Sequence, residues 1–470
     1  MKILLINPPM DPGVAYGRRF RKLGGVLPPL GLCYCAAVAR RAGHDVRICD
    51  ANLAGLTLKA LRDEVRRQAP DVVGLYSTTL SIEVAEEIAR VIKETLPSVP
   101  VVIGGPHISG LGKETLRCPH FDYGIFGEGE ESFLGLLGLL GSGATGFKDL
   151  KGLIYREAGS IVRNDPMPLC ADLDSLPFPA RDLLPDLRHY HTKILLSQRH
   201  PVAHVLTSRG CPYGCVFCQT PFGRKVRFHS AGYVADEITH LVRDHGAQEI
   251  KINDDTFALD EERARSIFDI LGERGIRLPW SCNLRVDRIR DKGFLKALKD
   301  RGCWLIRVGV ESGNQRVLDG IKKGITIDQV RRVCCWADEL GFRIQAFFII
   351  GHPLETEASI RETIALARSL PLDYPAFSLM TPLPGTELWQ RAREYGTFTF
   401  SKFSDLAYTH RPTFIPKGLD KEGLVRWQKK AYQDVYLNPR MVLRHLRHTR
   451  RPHDIKKLWA GACSLFQRND

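Results

Sequence analysis

Twice along this chain, apolar runs of strand length alternate with segments of helical period, an ordering that restricts the fold to parallel strands joined by crossover helices. In the first series the runs are 2–7, 46–49, 72–77, 101–103 and 123–126, with helical patterns at 32–42, 58–68 and 82–96. This predicts an α/β domain on a doubly wound, Rossmann-like parallel sheet, with ligands at the carboxyl ends of the strands. The second series supplies six strands, 202–206, 250–253, 280–284, 304–310, 344–350 and 376–380. Six βα units predict a partial (β/α)6 barrel of TIM type, whose chemistry sits at its carboxyl mouth. The implied organisation is a first domain over 1–145 and a connector over 146–195 that carries a short hairpin at 152–163. The barrel follows over 196–400, then a small helical region over 401–470.

At 470 residues the chain is long enough for several domains, each with its own core. Hydrophobic content of 44% and charged content of 26% are those of a globular protein. The opening Met-Lys-Ile-Leu-Leu-Ile-Asn-Pro-Pro is too short an apolar stretch for a signal peptide and reads as a strand. The longest nearly uncharged run, 133–141, falls far short of the ~20 residues that span a bilayer, so no transmembrane helix is predicted. Thirteen cysteines, an odd number without a secretory signal, point to reduced thiols in a cytoplasmic protein. Cys33, Cys35, Cys49, Cys282, Cys303, Cys334 and Cys335 lie in apolar or helical contexts and are expected to be small core residues. The net charge of +14 favours an anionic partner, either an acidic electron donor such as flavodoxin or ferredoxin, or an anionic membrane surface. Nucleic acid is not expected, because the basic residues form no compact arm and lack interleaved aromatics.

The run Ser-Arg-Gly-Cys-Pro-Tyr-Gly-Cys-Val-Phe-Cys-Gln at 208–219 directly follows the first barrel strand. Cys211, Cys215 and Cys218 are spaced C-x3-C-x2-C, which suits three irons of one [4Fe–4S] cluster and leaves the fourth iron open. Clusters that only carry electrons use four cysteines. A zinc site completed by His204 or His229 is the alternative. The spacing resembles that of the radical S-adenosylmethionine (SAM) superfamily. There the SAM amino and carboxylate groups bind the open iron, and one electron cleaves SAM to a 5′-deoxyadenosyl radical.

The resemblance covers roughly residues 196–390 and assigns the SAM contacts. Asp254 and Asp255, in Asn-Asp-Asp-Thr-Phe at 253–257, occupy the place of the Gly-Gly-Glu motif that binds the SAM amino group. The departure from that motif leaves a helix N-cap as the structural alternative. Arg285 stands where members of this type grip the SAM carboxylate, the alternative being a salt bridge with Asp287. Glu311, in Gly-Val-Glu-Ser-Gly, matches the glutamate that bonds the ribose hydroxyls. Gly351 lies in the motif that packs on adenine through backbone, and Phe217 is implied as an adenine contact, with Tyr213 shielding the cluster. No side chain receives a catalytic role.

The first 140 residues are similar to the cobalamin-binding domain fused to one large radical SAM subgroup. The matching pieces are Asn-Pro-Pro at 7–9, Pro-Pro-Leu-Gly at 28–31, Ser77-Thr78-Thr79, Gly104-Gly105-Pro106-His107 and Gly127-Glu128-Gly129-Glu130. The glycines let backbone approach a large flat ligand, and the hydroxyls suit its nucleotide tail. The Asp-x-His-x-x-Gly motif, whose histidine ligates cobalt in other cobalamin proteins, is absent. The resemblance therefore implies base-off cobalamin, with His107 a loop or phosphate contact.

This layout implies an enzyme that methylates unactivated carbon or phosphorus of a small or lipid-like biosynthetic intermediate, with methylcobalamin supplying the methyl group. A radical cyclase or rearrangement enzyme without net methyl transfer is the alternative. Remoter readings are a methylthiotransferase, which needs a second cluster on cysteines such as Cys33, Cys35 and Cys49, and a non-enzymatic cobalamin sensor. The C-terminal region, with Tyr432, Tyr436, Arg444, Arg447, Arg450 and Arg451, is read as a helix on the barrel, an anionic-substrate contact, or a peripheral membrane surface.

Overall fold

The computed structural model describes residues 1–14, 17, 24–144, 146–191, 196–407 and 409–448. Arg450 and Arg451 of the basic C-terminal run lie outside them.

In the N-terminal sheet, strands β1 (Lys2–Asn7), β2 (Asp45–Asp50), β3 (Val72–Tyr76), β4 (Val101–Gly104) and β5 (Tyr123–Ile125) run parallel in the order β2-β1-β3-β4-β5. The order in which strands are added reverses between β1 and β3, which opens a crevice above their carboxyl ends. Period-two alternation sends Leu4, Ile6, Val73 and Ile103 to one face and Ile3, Leu5, Val72 and Val102 to the other. Helices Leu58–Gln68 and Ile82–Thr95 cover the first face; helices Leu30–Arg41 and Glu130–Gly141 cover the second. Both faces are buried, hence the unbroken apolar runs. The hairpin β6 (Leu153–Glu157) and β7 (Ser160–Arg163), read from sequence as connector, instead pairs antiparallel onto β5. Leu153, Ile154 and Tyr155 are buried there and cover what would be an open sheet edge.

The second sheet takes β8 (Val202–Val205), β11 (Glu249–Ile252), β12 (Trp280–Leu284), β13 (Cys303–Glu311), β14 (Arg343–Ile350) and β15 (Tyr374–Leu379) in sequential, parallel order. A two-stranded ladder, β9 (Ser208–Arg209) with β10 (Arg227–Phe228), brackets the cysteine loop. Side-chain N-caps such as Ser230, Asp260, Asp291, Thr326 and Thr356 start the helices between strands. The six strands form an open barrel, and its two edges are satisfied by side chains rather than by further strands. At β8, Arg181 Nη2 donates to the His204 carbonyl at 2.8 Å. At β15, Gln428 Nε2 donates to the Phe377 carbonyl at 2.8 Å and Tyr436 Oη to the Pro375 carbonyl at 2.9 Å. Tyr432 Oη accepts from the Phe377 amide at 3.1 Å.

Helix Lys421–Tyr436 thus packs on the barrel, and Asn438-Pro439 separates it from helix Pro439–His448. Among the described residues no helix is long and apolar enough to cross a membrane. Cys335 departs from its expected core place: helix Ile327–Glu339 turns Cys334 inward and leaves Cys335 exposed. Cys35 packs against one face of the N-terminal sheet and Cys49 against the other, so the two thiols cannot share a cluster.

Candidate active site at the domain junction

The cysteine loop is held at several points along its backbone. A Cβ on Gly210, whose φ is +95°, would meet the Lys225 carbonyl at 2.4 Å, so glycine lets the β9–β10 ladder close before Cys211. The Cys211 amide donates to Gly223 O at 3.2 Å, the Val216 amide to Ile321 O at 3.1 Å, and the Leu388 amide to Val216 O at 2.8 Å. Cys218 is exposed as a residue, yet its thiol is pushed up to about 12, first by desolvation and then by Cys215 and Cys211 beside it. Thiols gathered on one short loop suit iron, whose positive charge stabilises thiolates. His204 and His229, the zinc candidates, are engaged elsewhere: a His204 ring nitrogen meets Asn253 Nδ2 at 2.8 Å, and His229 Nδ1 meets Asp174 at 3.2 Å.

Around the mouth, Arg285 and Glu311 come together through Lys323, a residue the motifs did not single out. Glu311 Oε1 accepts from Lys323 Nζ at 2.7 Å, and both side chains are buried. A Cβ on Gly309 would lie 2.3 Å from Glu311 Oε1 and 2.7 Å from Lys323 Nζ, so that glycine makes room for the pair. Glu311 itself has φ +66°, a left-handed conformation costly for a residue with a Cβ, of the kind held in place at functional sites. Arg285 Nη2 donates to Lys323 O at 2.5 Å, Nη1 lies 3.9 Å from Cys215 Sγ, and its guanidinium sits 3.4 Å over the Tyr213 ring. The Asp287 salt bridge is also present at 3.0 Å, so Arg285 is pre-oriented beside the cysteine loop.

Asp254 and Asp255 divide. Asp254 is fully buried and accepts from Thr207 N, Thr207 Oγ1 and Ser208 Oγ at 2.6, 2.5 and 2.7 Å. Its carboxylate thereby fixes the entry to the cysteine loop and is not turned to a ligand. Asp255 is exposed at the mouth, where desolvation and then Asp254 push its acid up to about 6, and its charge reaches Cys218. Neither caps a helix; Asp260 does. Gly351 has φ +93°, and its amide donates to Glu355 together with the His352 amide. Glu355, also missed, is buried with one unpaired oxygen and pushed up to about 8 by burial. The Phe217 ring meets His352 edge-on at 6.4 Å.

The N-terminal loops assemble above the β1/β3 crevice. Ser77 is wholly buried with an unpaired Oγ, Thr78 bonds Ser81, and Thr79 Oγ1 lies 3.4 Å from His107 Nδ1. His107 is itself buried, edge-on to Phe403 at 4.6 Å, and burial pushes it down to about 4. Gly105, at φ +115°, is required by the Ser77 carbonyl, 2.4 Å from where its Cβ would stand. Gly104 and Gly127 have no side chain within 4 Å of theirs, which leaves a cradle of open backbone. Gly129 precedes helix Glu130–Gly141 as its N-cap. Glu128 departs from its expected ligand role: Arg227 Nη1 and Nη2 donate to it at 2.9 and 2.5 Å, and the Cys170 amide at 3.0 Å. Its partner is 99 residues away, beyond any motif.

Two further contacts join the halves beside the cysteine loop. Glu130 Oε1 lies 2.6 Å from Arg209 Nη2, two residues before Cys211. On the other flank, a Cβ on Gly110 would lie 2.5 Å from Pro384 O, the same carbonyl that Gln219 Nε2 reaches at 2.7 Å from the end of the cysteine loop. The three thiols of one loop, the Arg285–Lys323–Glu311 group and the open cradle with its orphaned Ser77 hydroxyl suit a cluster, SAM and cobalamin respectively by their donor chemistry.

Residues 19–137 match the B12 binding domain family and residues 205–367 the radical SAM superfamily. The chain is 35% identical to an uncharacterised methyltransferase of Pyrococcus horikoshii over 452 residues, 95% of each chain. It is 28% identical to the anaerobic magnesium-protoporphyrin IX monomethyl ester cyclase of Cereibacter sphaeroides, covering 92% of this chain and 70% of that one. The radical SAM methyltransferase TsrM from Kitasatospora setae, solved with cobalamin and a [4Fe–4S] cluster, superposes with a TM-score of 0.71 over 98% of both chains at 17% identity. With a B12 binding domain followed by a radical SAM domain, the chain belongs to the cobalamin-binding radical SAM superfamily, as an enzyme of [4Fe–4S] cluster, SAM and cobalamin.

Proposed function

We propose that this enzyme methylates an unactivated carbon or phosphorus centre of a small-molecule intermediate held between the cradle and the barrel mouth. The observation that carries the reading is the convergence of Gly110 and Gln219 on the Pro384 carbonyl, which brings the loops after β4 against the end of the cysteine loop. The cofactors, when bound, supply a substrate-activating radical and a transferable methyl group. In this reading the chain's own residues bind and orient. Arg285 holds the SAM carboxylate, Glu311 exchanges Lys323 for the ribose hydroxyls, and Asp255 accepts from the SAM amino N–H. Ser77 and the open glycines Gly104 and Gly127 seat the corrin and its tail. An acidic protein donates the electron, attracted by the net charge of +14.

The kinship with a cyclase over 92% of this chain supports a second reading, cyclisation without net methyl transfer. One experiment separates them. Anaerobically reconstituted protein is given reductant, cobalamin and SAM labelled with deuterium in its methyl group, with a small-molecule extract as substrate. Methylation yields S-adenosylhomocysteine and a labelled product. Formation of 5′-deoxyadenosine without either supports the cyclase, and absence of any SAM cleavage overturns both.

A further inference from the structure

The interior of the open barrel departs from the layers of branched apolar side chains that fill such barrels. Ala203, Val205, Ile250, Ile252, Ile306, Val308, Ile344 and Ala346 belong to the core shared with the surrounding helices. Alternation therefore sends the intervening His204, Lys251, Arg307 and Gln345 into the lumen, joined by Ser281 between Trp280 and Cys282 of the same core. The ladder pairs His204 with Lys251, Lys251 with Ser281, and Arg307 with Gln345, while Ser281 stands beside Leu305 and Arg307 beside Asn283, one step nearer the mouth. All five are at most 8% exposed.

Three of them keep a buried polar atom without a partner: Ser281 Oγ, Arg307 Nε and Gln345 Oε1. Each such atom costs roughly 1–3 kcal/mol unless something completes it, so a lumen holding three on neighbouring strands favours an occupant. The floor beneath is closed by the apolar group Leu196, Trp304, Leu305 and Tyr374. Above it, Asn253, Asn283 and Gly309 are only half-buried, so the layer opens toward the mouth. Its charge is also defined. The carboxylate nearest Lys251 along its own strand, Glu249, already accepts from the Gln198 and Arg199 amides and from Trp304 Nε1. The desolvated Arg307 guanidinium has its Nη2 on the Ile252 carbonyl at 3.0 Å.

We propose that this lumen layer binds an anionic oxygen-bearing group of the substrate, a phosphate, phosphonate or carboxylate, which enters from the mouth. Arg307 offers a fixed fork of donors to such a group, Ser281 its hydroxyl, and Gln345 its amide N–H after a flip. The inference rests on the proposed reaction only in taking the mouth as the place where the substrate is held.

The test uses the full, anaerobically reconstituted chain with saturating SAM, so that the SAM contacts Arg285 and Glu311 are taken and do not themselves bind the probe anions. It is titrated by calorimetry with inorganic phosphate, methylphosphonate, acetate and, as a neutral control, acetamide. Saturable binding of phosphate or methylphosphonate, or of acetate, but not acetamide is expected, and the tightest anion identifies the source chemistry. Arg307→Gln should weaken it tenfold or more, Arg307→Lys less, and Ser281→Ala by several fold. Ser281→Ala serves as the deciding variant should Arg307→Gln not fold. Anion binding no stronger than that of acetamide, or equal in wild type and Ser281→Ala, overturns the proposal and leaves a water-filled lumen. SAM cleavage is measured on the same samples. Cleavage without anion binding sinks this inference alone, whereas anion binding without cleavage sinks the proposed function alone.

Discussion

Arg209 Nη2 stands 2.6 Å from Glu130 Oε1, joining the approach to the cysteine loop to the first residue of an N-terminal-domain helix 79 residues earlier. Arg227 and Glu128 extend the same buried group. Removing one partner of a buried pair strands the other charge, typically at about 3–5 kcal/mol. Glu130→Ala should therefore lower stability by that order in denaturant unfolding. Glu130→Ala combined with Arg209→Met should cost less than the sum of the two single changes. Strict additivity would count against the coupling.

At Glu311 the backbone and the side chain can be tested apart. Glycine relieves a left-handed φ where alanine does not, so Glu311→Gly should be more stable than Glu311→Ala by about 1 kcal/mol. Both should lose SAM affinity, by tens to thousands of fold if the carboxylate binds the ribose, since such charged contacts are worth about 2–5 kcal/mol. Isothermal titration with SAM reads the loss, and iron content should remain as in wild type.

Replacing Cys211, Cys215 and Cys218 together by alanine should abolish iron binding in reconstituted protein. His204→Gln and His229→Gln should each leave the metal content unchanged, because those rings face Asn253 and Asp174. Metal retained in the triple variant, or lost in a histidine one, would revive a different ligand set.

His107 gives a pH signature. Burial holds its imidazole down to about 4, against an ordinary value of 6.5 in the unfolded chain. Between those values the unfolded state binds the extra proton, so this contribution is complete above pH 6.5 and is lost as pH falls toward 4. His107→Gln should flatten the fall in thermal stability over that window, where the wild type loses on the order of 3 kcal/mol through this residue. An unchanged acid limb in the variant would show that the ring does not stay neutral when folded.

The strands were legible because both faces of each sheet are buried, and the limits moved by only a few residues, as when 250–253 became Glu249–Ile252. The cysteine loop was legible because its ligands lie within eight residues of one another. What escaped was set by distant partners. Asp254 and Glu128 stand in motif positions, yet their carboxylates belong to Thr207 and Arg227, 47 and 99 residues away. Lys323 sits in a polar Ile-Lys-Lys-Gly turn that reads as surface. The faint signal for it was Gly309, a side-chain-free position inside an apolar strand, whose space Lys323 and Glu311 share. Glu355 was hidden in the same way behind a turn glycine.

The close approach of Gly110 to Pro384 bears on how the two halves move. A Cβ on Gly385 would in turn stand 2.8 Å from Gly110 Cα, so the surfaces meet there with no slack for sliding. The Glu130–Arg209 pair fastens them again on the opposite flank of the cysteine loop. The Arg227–Glu128 pair, the His107–Phe403 contact and the Ser404 amide on Glu83 add further ties, so cradle and thiols are held at a set spacing rather than hinged.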